Sequence, residues 1–378
     1  MQSERVPSTD DGEWEGQDAA VSDGWGEYPL DAVFVRTETR TVSEVVRRIK
    51  LGRFVLDPEF QREFVWPPEK QSKLIESCVM RIPLPVFYVA EARDGRIIVV
   101  DGLQRLTTFE HFLNDQLRLV GLASTQASKS GQILENRTFS ELPIPLQERI
   151  QDTQLTLYIL DAKAPERARL DIFERVNSGE PLTRQQMRNA LYSGPATRWL
   201  KCAAQSTEFQ HATGHGLNDK TMRDREAINR FCAFKLLGEA AYTSSDMDRW
   251  LGEALTQLNQ MEPAEADDLL QTFRDTMRLH LQLFGEHAFR KSLASDRASP
   301  RSVINISLFE VASVLTSDRL VLQAAPHRLE MVRSAVIDLV RDPAFEKAIT
   351  YSTNSTAAVR LRFERMRAVL KDALSRAP

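Results

Sequence analysis

Cysteine is scarce in this chain of 378 residues: Cys78, Cys202 and Cys232, odd in number and widely spaced. That argues against a disulfide framework and reads as the reduced thiols of a cytoplasmic protein. Long apolar runs are missing as well. No stretch approaches the roughly 18 residues a membrane helix needs, and the first 31 residues hold no apolar signal-peptide core. The sequence thus gives no reason to expect a membrane partner. Gly-Lys-Ser/Thr occurs nowhere, which excludes a Walker A loop. There is no Gly-x-Ser-x-Gly elbow either. The six histidines compose no metal-dependent nuclease motif. His211 and His215 stand four apart, but in a loop-like stretch without cysteine partners, a poor start for zinc.

What is present describes a globular protein, with 42% hydrophobic and 27% charged residues. At roughly 150 residues per domain, two or three domains are expected. The net charge of −4 conceals a division. Residues 1–31 carry nine acids and one base, so the remainder holds 48 bases against 44 acids. The acidic segment, rich in Asp, Gly and Ser, reads as a disordered tail. A body of +4 permits nucleic-acid binding without demanding it.

Periodicity divides the rest into two unlike regions. From about residue 35 to 165, strand candidates alternate with helices. "TVSEVVRRIKLG" predicts a helix with Thr41 and Glu44 as a capping box and Gly52 as its stop. "WPPEKQSKLIESCVMRIP" predicts another, with Leu74, Ile75, Cys78 and Val79 on one face. "PVFYVAE" and "RIIVVDG" read as a hairpin, and "TQLTLYILDA" as a further strand. Beyond Pro165 nearly everything reads as amphipathic helix. The expected plan is α+β: a tail over 1–31, a mixed domain over 32–165, and an α-helical region over 166–378.

One turn asks for chemistry. In "RIIVVDGLQRLTTFEHFL" a β-branched run stops at Asp101-Gly102, and Leu106, Phe109, Phe112 and Leu113 resume at helical spacing. Asp-Gly is a common turn and Asp a common N-cap, which would explain it without function. The alternative is an anion site, since a helix N-terminus offers backbone N–H groups and its dipole to phosphate. Arg105 could then add a bidentate grip.

Three other clusters carry the same two readings. Gln61 and Arg62 sit among Phe60, Phe64 and Trp66 in "LDPEFQREFVWPPEK". In "DIFERVNSGEPLTRQQMRNALYSG", Thr183 and Gln186 predict a capping box, with Met187, Ala190 and Leu191 facing the core. Arg184 and Arg188 then fall on the outer face, and with Asn177 they make a donor-rich elbow suited to phosphate. Arg223, Arg225 and Arg230, and later Arg360, Arg362, Arg365 and Arg367, read as solvated basic faces before they read as DNA contacts.

Four blocks, "LDPEFQREFVWPPEKQSKLIESCVMRIPLPVFYVAE", "IIVVDGLQRLTTFEHFL", "IFERVNSGEPLTRQQMRNALYSG" and "DREAINRFCAF", resemble in this order the N-terminal domain family of GmrSD-type modification-dependent restriction systems. The resemblance spans residues 35 to 240 and the helical remainder more loosely. It implies a ParB/sulfiredoxin-like fold whose Asp-Gly-Gln-Gln-Arg motif binds nucleotide phosphate and supports NTP hydrolysis, linked to sensing or cleaving modified DNA. Here the motif is Asp101, Gly102, Leu103, Gln104, Arg105, with Leu103 in place of the first glutamine.

Carried over by position, the resemblance implies that Arg105 holds phosphate at the Gly102 turn. Asp101 would position Mg²⁺ or the attacking water, and Gln104 the same water or phosphate. Gln61 and Arg62 match the upstream pair, Asn177 and Arg188 the downstream one, with Arg62 or Arg188 neutralising phosphate charge. The implied cofactors are an NTP and Mg²⁺, and the implied partners are DNA and a separate nuclease or defence-system subunit. No His-Asn-His-type nuclease motif follows residue 240. The alternative is a non-catalytic DNA-recognition or regulatory module that keeps the fold, with Leu103 as its supporting feature.

Overall fold

A computed structural model describes residues 14–15, 35–56, 66–92, 94–122, 133–164, 166–176, 183–295 and 300–375. The chain divides into two compact units, residues 25–193 and residues 194–378 together with 1–24. The architecture is α+β, as the periodicity predicts.

After β1 (Trp14–Glu15), which belongs to the second unit, come β2 (Val35–Thr41), β3 (Phe54–Val55), β4 (Phe87–Glu91), β5 (Ile97–Asp101) and β6 (Gln154–Leu160). They form one mixed sheet in the order β2–β6–β4–β5–β3. The expected hairpin is β4–β5, antiparallel, while β6 runs parallel to β4 and β3 parallel to β5. Alternation decides the faces. Phe87, Val89, Val99, Leu155, Leu157 and Ile159 point into one core and are almost fully buried.

The helices α1 (Val42–Lys50), α2 (Pro68–Val79) and α3 (Leu103–Leu113) supply the other half of that core. α2 and α3 do so through the stripes their sequences predict, Leu74, Ile75, Cys78 and Val79 on the one and Leu106, Phe109 and Phe112 on the other, and α1 does so through Val42, Val45 and Val46. Burying side chains of this size stabilises the unit by about 1.5–3 kcal/mol each. Thr41 caps α1 by accepting from the Glu44 N–H, as expected. The Glu44 carboxylate, however, turns to Arg48 at 2.9 Å and Arg40 at 3.5 Å.

The unit closes with α4 (Ile144–Gln151), α5 (Glu166–Val176) and α6 (Arg184–Leu191). Here the boundary drawn at residue 165 moves to Ser193. α5 and α6 pack on each other, Arg169 on α5 donates to the Glu91 carbonyl at 3.1 Å, and Arg96 donates to the Ser193 carbonyl at 3.2 Å. Amphipathic helix alone does not reveal which neighbour buries it, so the change from strands to helices suggested an earlier division.

In the second unit the helices are α7 (Pro195–Ala204), α8 (Thr207–Thr213), α9 (Arg223–Leu237), α10 (Met247–Gln260), α11 (Pro263–Phe284), α12 (Ile306–Thr316), α13 (Arg319–Ala324), α14 (Leu329–Arg341), α15 (Pro343–Thr350) and α16 (Thr356–Ser375). α12 is apolar nearly all round and is buried among α9, α11 and α16. The stretch around His211 is not a loop. Ser206 caps α8 and Gly214 ends it in the left-handed region. No group of three or more His, Cys, Asp or Glu that could hold a metal occurs among the described residues.

Two charged features differ from their sequence reading. Part of the acidic tail is ordered: β1 pairs in parallel with β7 (Ile304–Asn305), and Glu15 Oε2 meets Lys291 Nζ at 3.1 Å. Arg230 and Arg362 are not on solvated faces but almost completely buried, both bound to Glu310 on α12.

Asp224, in the first turn of α9, is only 8% exposed, and burial pushes its carboxyl up to about 6. A raised carboxyl pKa means that ionisation opposes folding once the pH passes from the unfolded value to the folded one. Asp224→Asn should therefore stabilise the protein at pH 7, by no more than about 3 kcal/mol. As the pH falls from the folded value toward the unfolded one, about 4, the gain should shrink to a fraction, and well below it, where both states are protonated, it should vanish. Urea denaturation at pH 7 and pH 4 measures both, and an equal effect at the two pH values would refute the charge argument.

Candidate functional site

The Asp-Gly turn is a corner where sheet meets helix. Asp101 is the last residue of β5, and Gly102 is the N-cap of α3 at φ +105°. Asp101 is therefore not the cap. The positive φ is one reason for glycine. The other is space: a Cβ here would lie 2.3 Å from Phe87 Cδ1. Glycine has no side chain to cap the first-turn amides of α3, so the corner has the form that suits an anion. A β-bulge sets Tyr88 opposite Asp101 while Val89 pairs with Val99. Bulges commonly re-aim a side chain where a strand ends.

Arg105 does something other than reach outward. It is 8% exposed, and its guanidinium lies 4.2 Å from the centroid of the Phe87 ring. Nη1 donates to the Pro85 carbonyl, and Nη2 donates to the Val86 carbonyl at 3.1 Å and to Asp101 Oδ2 at 2.9 Å. Desolvation lowers its pKa, with Asp101 opposing the shift. These contacts make Arg105 a brace that ties the entry of β4 to the end of β5. The Asp101 side chain remains 41% exposed, and it is the charged group of the motif that this corner presents to solvent.

Gln104 faces a different segment. Its Oε1 accepts from the Trp66 N–H at 3.3 Å, and the Trp66 carbonyl accepts from Gln71 Nε2 at 2.8 Å. Lys70 Nζ sits 4.3 Å from the Trp66 ring centroid, a cation–π arrangement. The first turn of α3 thus fixes the start of α2. Trp66, Lys70, Pro85, Val86 and Phe87 belong to this corner. The sequence singled out Trp66 as framing the Gln61–Arg62 pair and gave no sign of the other four.

Leu103, the departure from the family motif, is 8% exposed and part of the hydrophobic core. A glutamine there would bury an amide without an assured partner. Leu103→Gln should destabilise the protein by about 2–4 kcal/mol and give no gain in NTP turnover. Urea denaturation and a phosphate-release assay on the same preparation would test this. A stable variant with faster turnover would show that the position faces ligand.

The elbow around α6 differs from its outward-facing expectation. The capping box forms: the Thr183 side chain accepts from the Gln186 N–H, and the Gln186 side chain accepts from the Thr183 N–H. Arg184 pairs with Asp171 at 2.9 Å. Arg188 is 1% exposed and donates to Gln185 Oε1 at 2.9 Å, while Gln185 donates to Asn189 Oδ1 at 3.1 Å. Gln185, Arg188 and Asn189 are as buried as the apolar residues of this helix, so polarity did not mark an outer face. Gln61, Arg62 and Asn177 lie outside the described residues. The structure accordingly brings Asp101, Gly102, Gln104 and Arg105 together, and places Arg188 in a buried network on α6.

Residues 42–193 match the sequence model of the family described as GmrSD restriction endonuclease, N-terminal domain. That stretch belongs to this domain family, and the match ends at Ser193, where the first compact unit ends. The family takes its description from a restriction endonuclease. No curated protein matches the chain. Among the described residues, no helix is long and apolar enough to cross a membrane.

Proposed function

We propose that the first unit is a nucleotide-binding, NTP-hydrolysing module of a modified-DNA restriction or anti-phage system, working with a separate nuclease in a cytoplasmic setting. The observation that carries the reading is the Asp101–Gly102 corner: an α-helix N-terminus headed by glycine beside an exposed carboxylate, in a domain of a restriction family. The amides of α3 and the helix dipole would hold the phosphates. Asp101, through the face of its carboxylate away from Arg105, would hold Mg²⁺. One carboxylate fits that ion, which usually keeps several waters and completes its shell with substrate phosphates. Bound Mg²⁺ would neutralise charge on the phosphates.

Arg105 contributes by fixing Asp101 rather than by gripping phosphate. Gln104 contributes by holding Trp66. Positive charge at the ligand would come from Lys70 and, by the family pattern, from Arg62. The alternative of a non-catalytic recognition module drew on Leu103, and the burial of Leu103 removes that support.

Thermal unfolding with each NTP, with and without Mg²⁺, tests the reading. A binder at 100 times its Kd stabilises the folded state by about 2.7 kcal/mol, a clear rise in Tm. Released phosphate then reports hydrolysis. No rise with any NTP, and no heat of binding by calorimetry, would overturn the proposal.

A further inference from the structure

The face of the sheet away from the core carries an ordered row. Asp101 on β5 stands opposite Tyr88 on β4, Tyr88 beside Tyr158 on β6, and Tyr158 opposite Thr37 on β2. Phe87, Val89, Leu157 and Ile159, which alternate with the tyrosines, are buried in the core, so Tyr88 and Tyr158 share the opposite face. Both tyrosines are half-buried and Thr37 is exposed. The two rings lie 5.4 Å apart at 48°. Neither phenol oxygen has a hydrogen-bond partner among the described residues. Thr156, next on β6 along this face, and Thr39 opposite it add further hydroxyls.

We infer that Tyr88 and Tyr158 form a stacking platform for the aromatic base of a nucleotide whose phosphates lie at the Asp101–Gly102 corner. This rests on the nucleotide reading of that corner and extends it to the ligand's other end. Neighbouring strands are about 4.8 Å apart, so the rings lie about one and two strand spacings from Asp101. A nucleotide laid across the strands bridges that interval. Aromatic side chains stack on any base, because every base has a π-face. Ala90 and Leu160, next on this face along β4 and β6, are apolar and buried, and the polar groups near Tyr158 are the hydroxyls of Thr37, Thr39 and Thr156, which rotate to donate or accept. They give the ligand hydrogen bonds without dictating which base is present. The ligand class is therefore nucleoside triphosphates with little base selectivity.

Calorimetry on the full chain with ATP, CTP and inorganic tripolyphosphate, each with Mg²⁺, tests the inference. Tyr88→Leu and Tyr158→Leu should each weaken both nucleotides about tenfold or more, the scale of lost base stacking, and leave tripolyphosphate affinity unchanged. Tyr158→Phe should retain most of the nucleotide affinity. In the unsubstituted protein, bound ATP should protect both tyrosines from tetranitromethane, read by mass spectrometry, which covers the case of a leucine variant that fails to fold. Folded leucine variants with full nucleotide affinity, or tyrosines nitrated equally with and without ATP, would overturn the platform. A wild-type chain that binds tripolyphosphate as tightly as ATP would keep the phosphate site and refute the platform. A chain that binds neither would refute both.

Discussion

Glu310→Ala should cost the helical unit about 3–5 kcal/mol, the loss expected when one partner of a buried ion pair is removed. Glu310 is fully buried, and so is Arg362. Its Oε1 accepts from Arg362 Nε at 3.1 Å and from Nη2, and its Oε2 accepts from Arg230 Nη1 at 3.1 Å. Arg230 also donates to Asn354 Oδ1 at 3.3 Å, Arg362 donates to the Thr353 carbonyl, and Tyr242 Oη donates to the Asn354 carbonyl at 2.7 Å.

One carboxylate therefore balances two guanidiniums drawn from α9 and α16, and deleting it strands both in low dielectric. Glu310→Gln should cost nearly as much, because it keeps volume while removing the charge. Replacing the whole triad together (Arg230→Met, Glu310→Leu, Arg362→Met) should recover most of the loss, since a packed apolar substitute needs no counter-charge. Helical circular dichroism in urea measures all three. A loss below about 1 kcal/mol for Glu310→Gln would show that the pairing carries little of the unit's stability.

Most of the sheet unit was legible because its elements obey one period each. The strand alternation of "QLTLYIL" and the 3.6-residue stripe of "LQRLTTFEHFL" say which side chains go inward, and a cap such as Thr41 or Thr183 says where a helix starts. Arginine was where legibility failed. Arg105, Arg188, Arg230 and Arg362 are buried, yet an arginine met in sequence reads as surface, because the residue type is mostly exposed unless paired. For three of them the decisive partners are remote: Pro85 and Val86 for Arg105, Glu310 for Arg230 and Arg362. No window of sequence contains such a pairing. The tyrosine row was hidden for the same reason, since a cross-strand register joins β2, β4, β5 and β6 over more than a hundred residues.

The corner gives the second large effect. Gly102→Ala should destabilise the sheet unit by about 3 kcal/mol, adding about 1–2 kcal/mol for an alanine in the left-handed region to about 1–3 kcal/mol for overpacking against Phe87. The two parts separate in a double-mutant cycle. Phe87→Leu shortens the side chain that a Cβ would strike at 2.3 Å, so the pair should be less destabilised than the sum of the single changes. The backbone strain stays.

Arg105→Ala should also cost stability, because the Pro85 and Val86 carbonyls lose their donor and Asp101 its partner. Arg105→Lys should recover little of that, since a single ammonium cannot span both carbonyls and the carboxylate as the planar fork does. Chemical denaturation gives each stability, and NTP calorimetry on the folded fraction gives affinity. If Arg105 is a brace, affinity falls only as far as Asp101 is displaced, and a stabilising background substitution elsewhere should restore folding without restoring that geometry. An Arg105→Ala protein as stable as wild type, with NTP affinity lost, would return the guanidinium to the phosphate and overturn the brace.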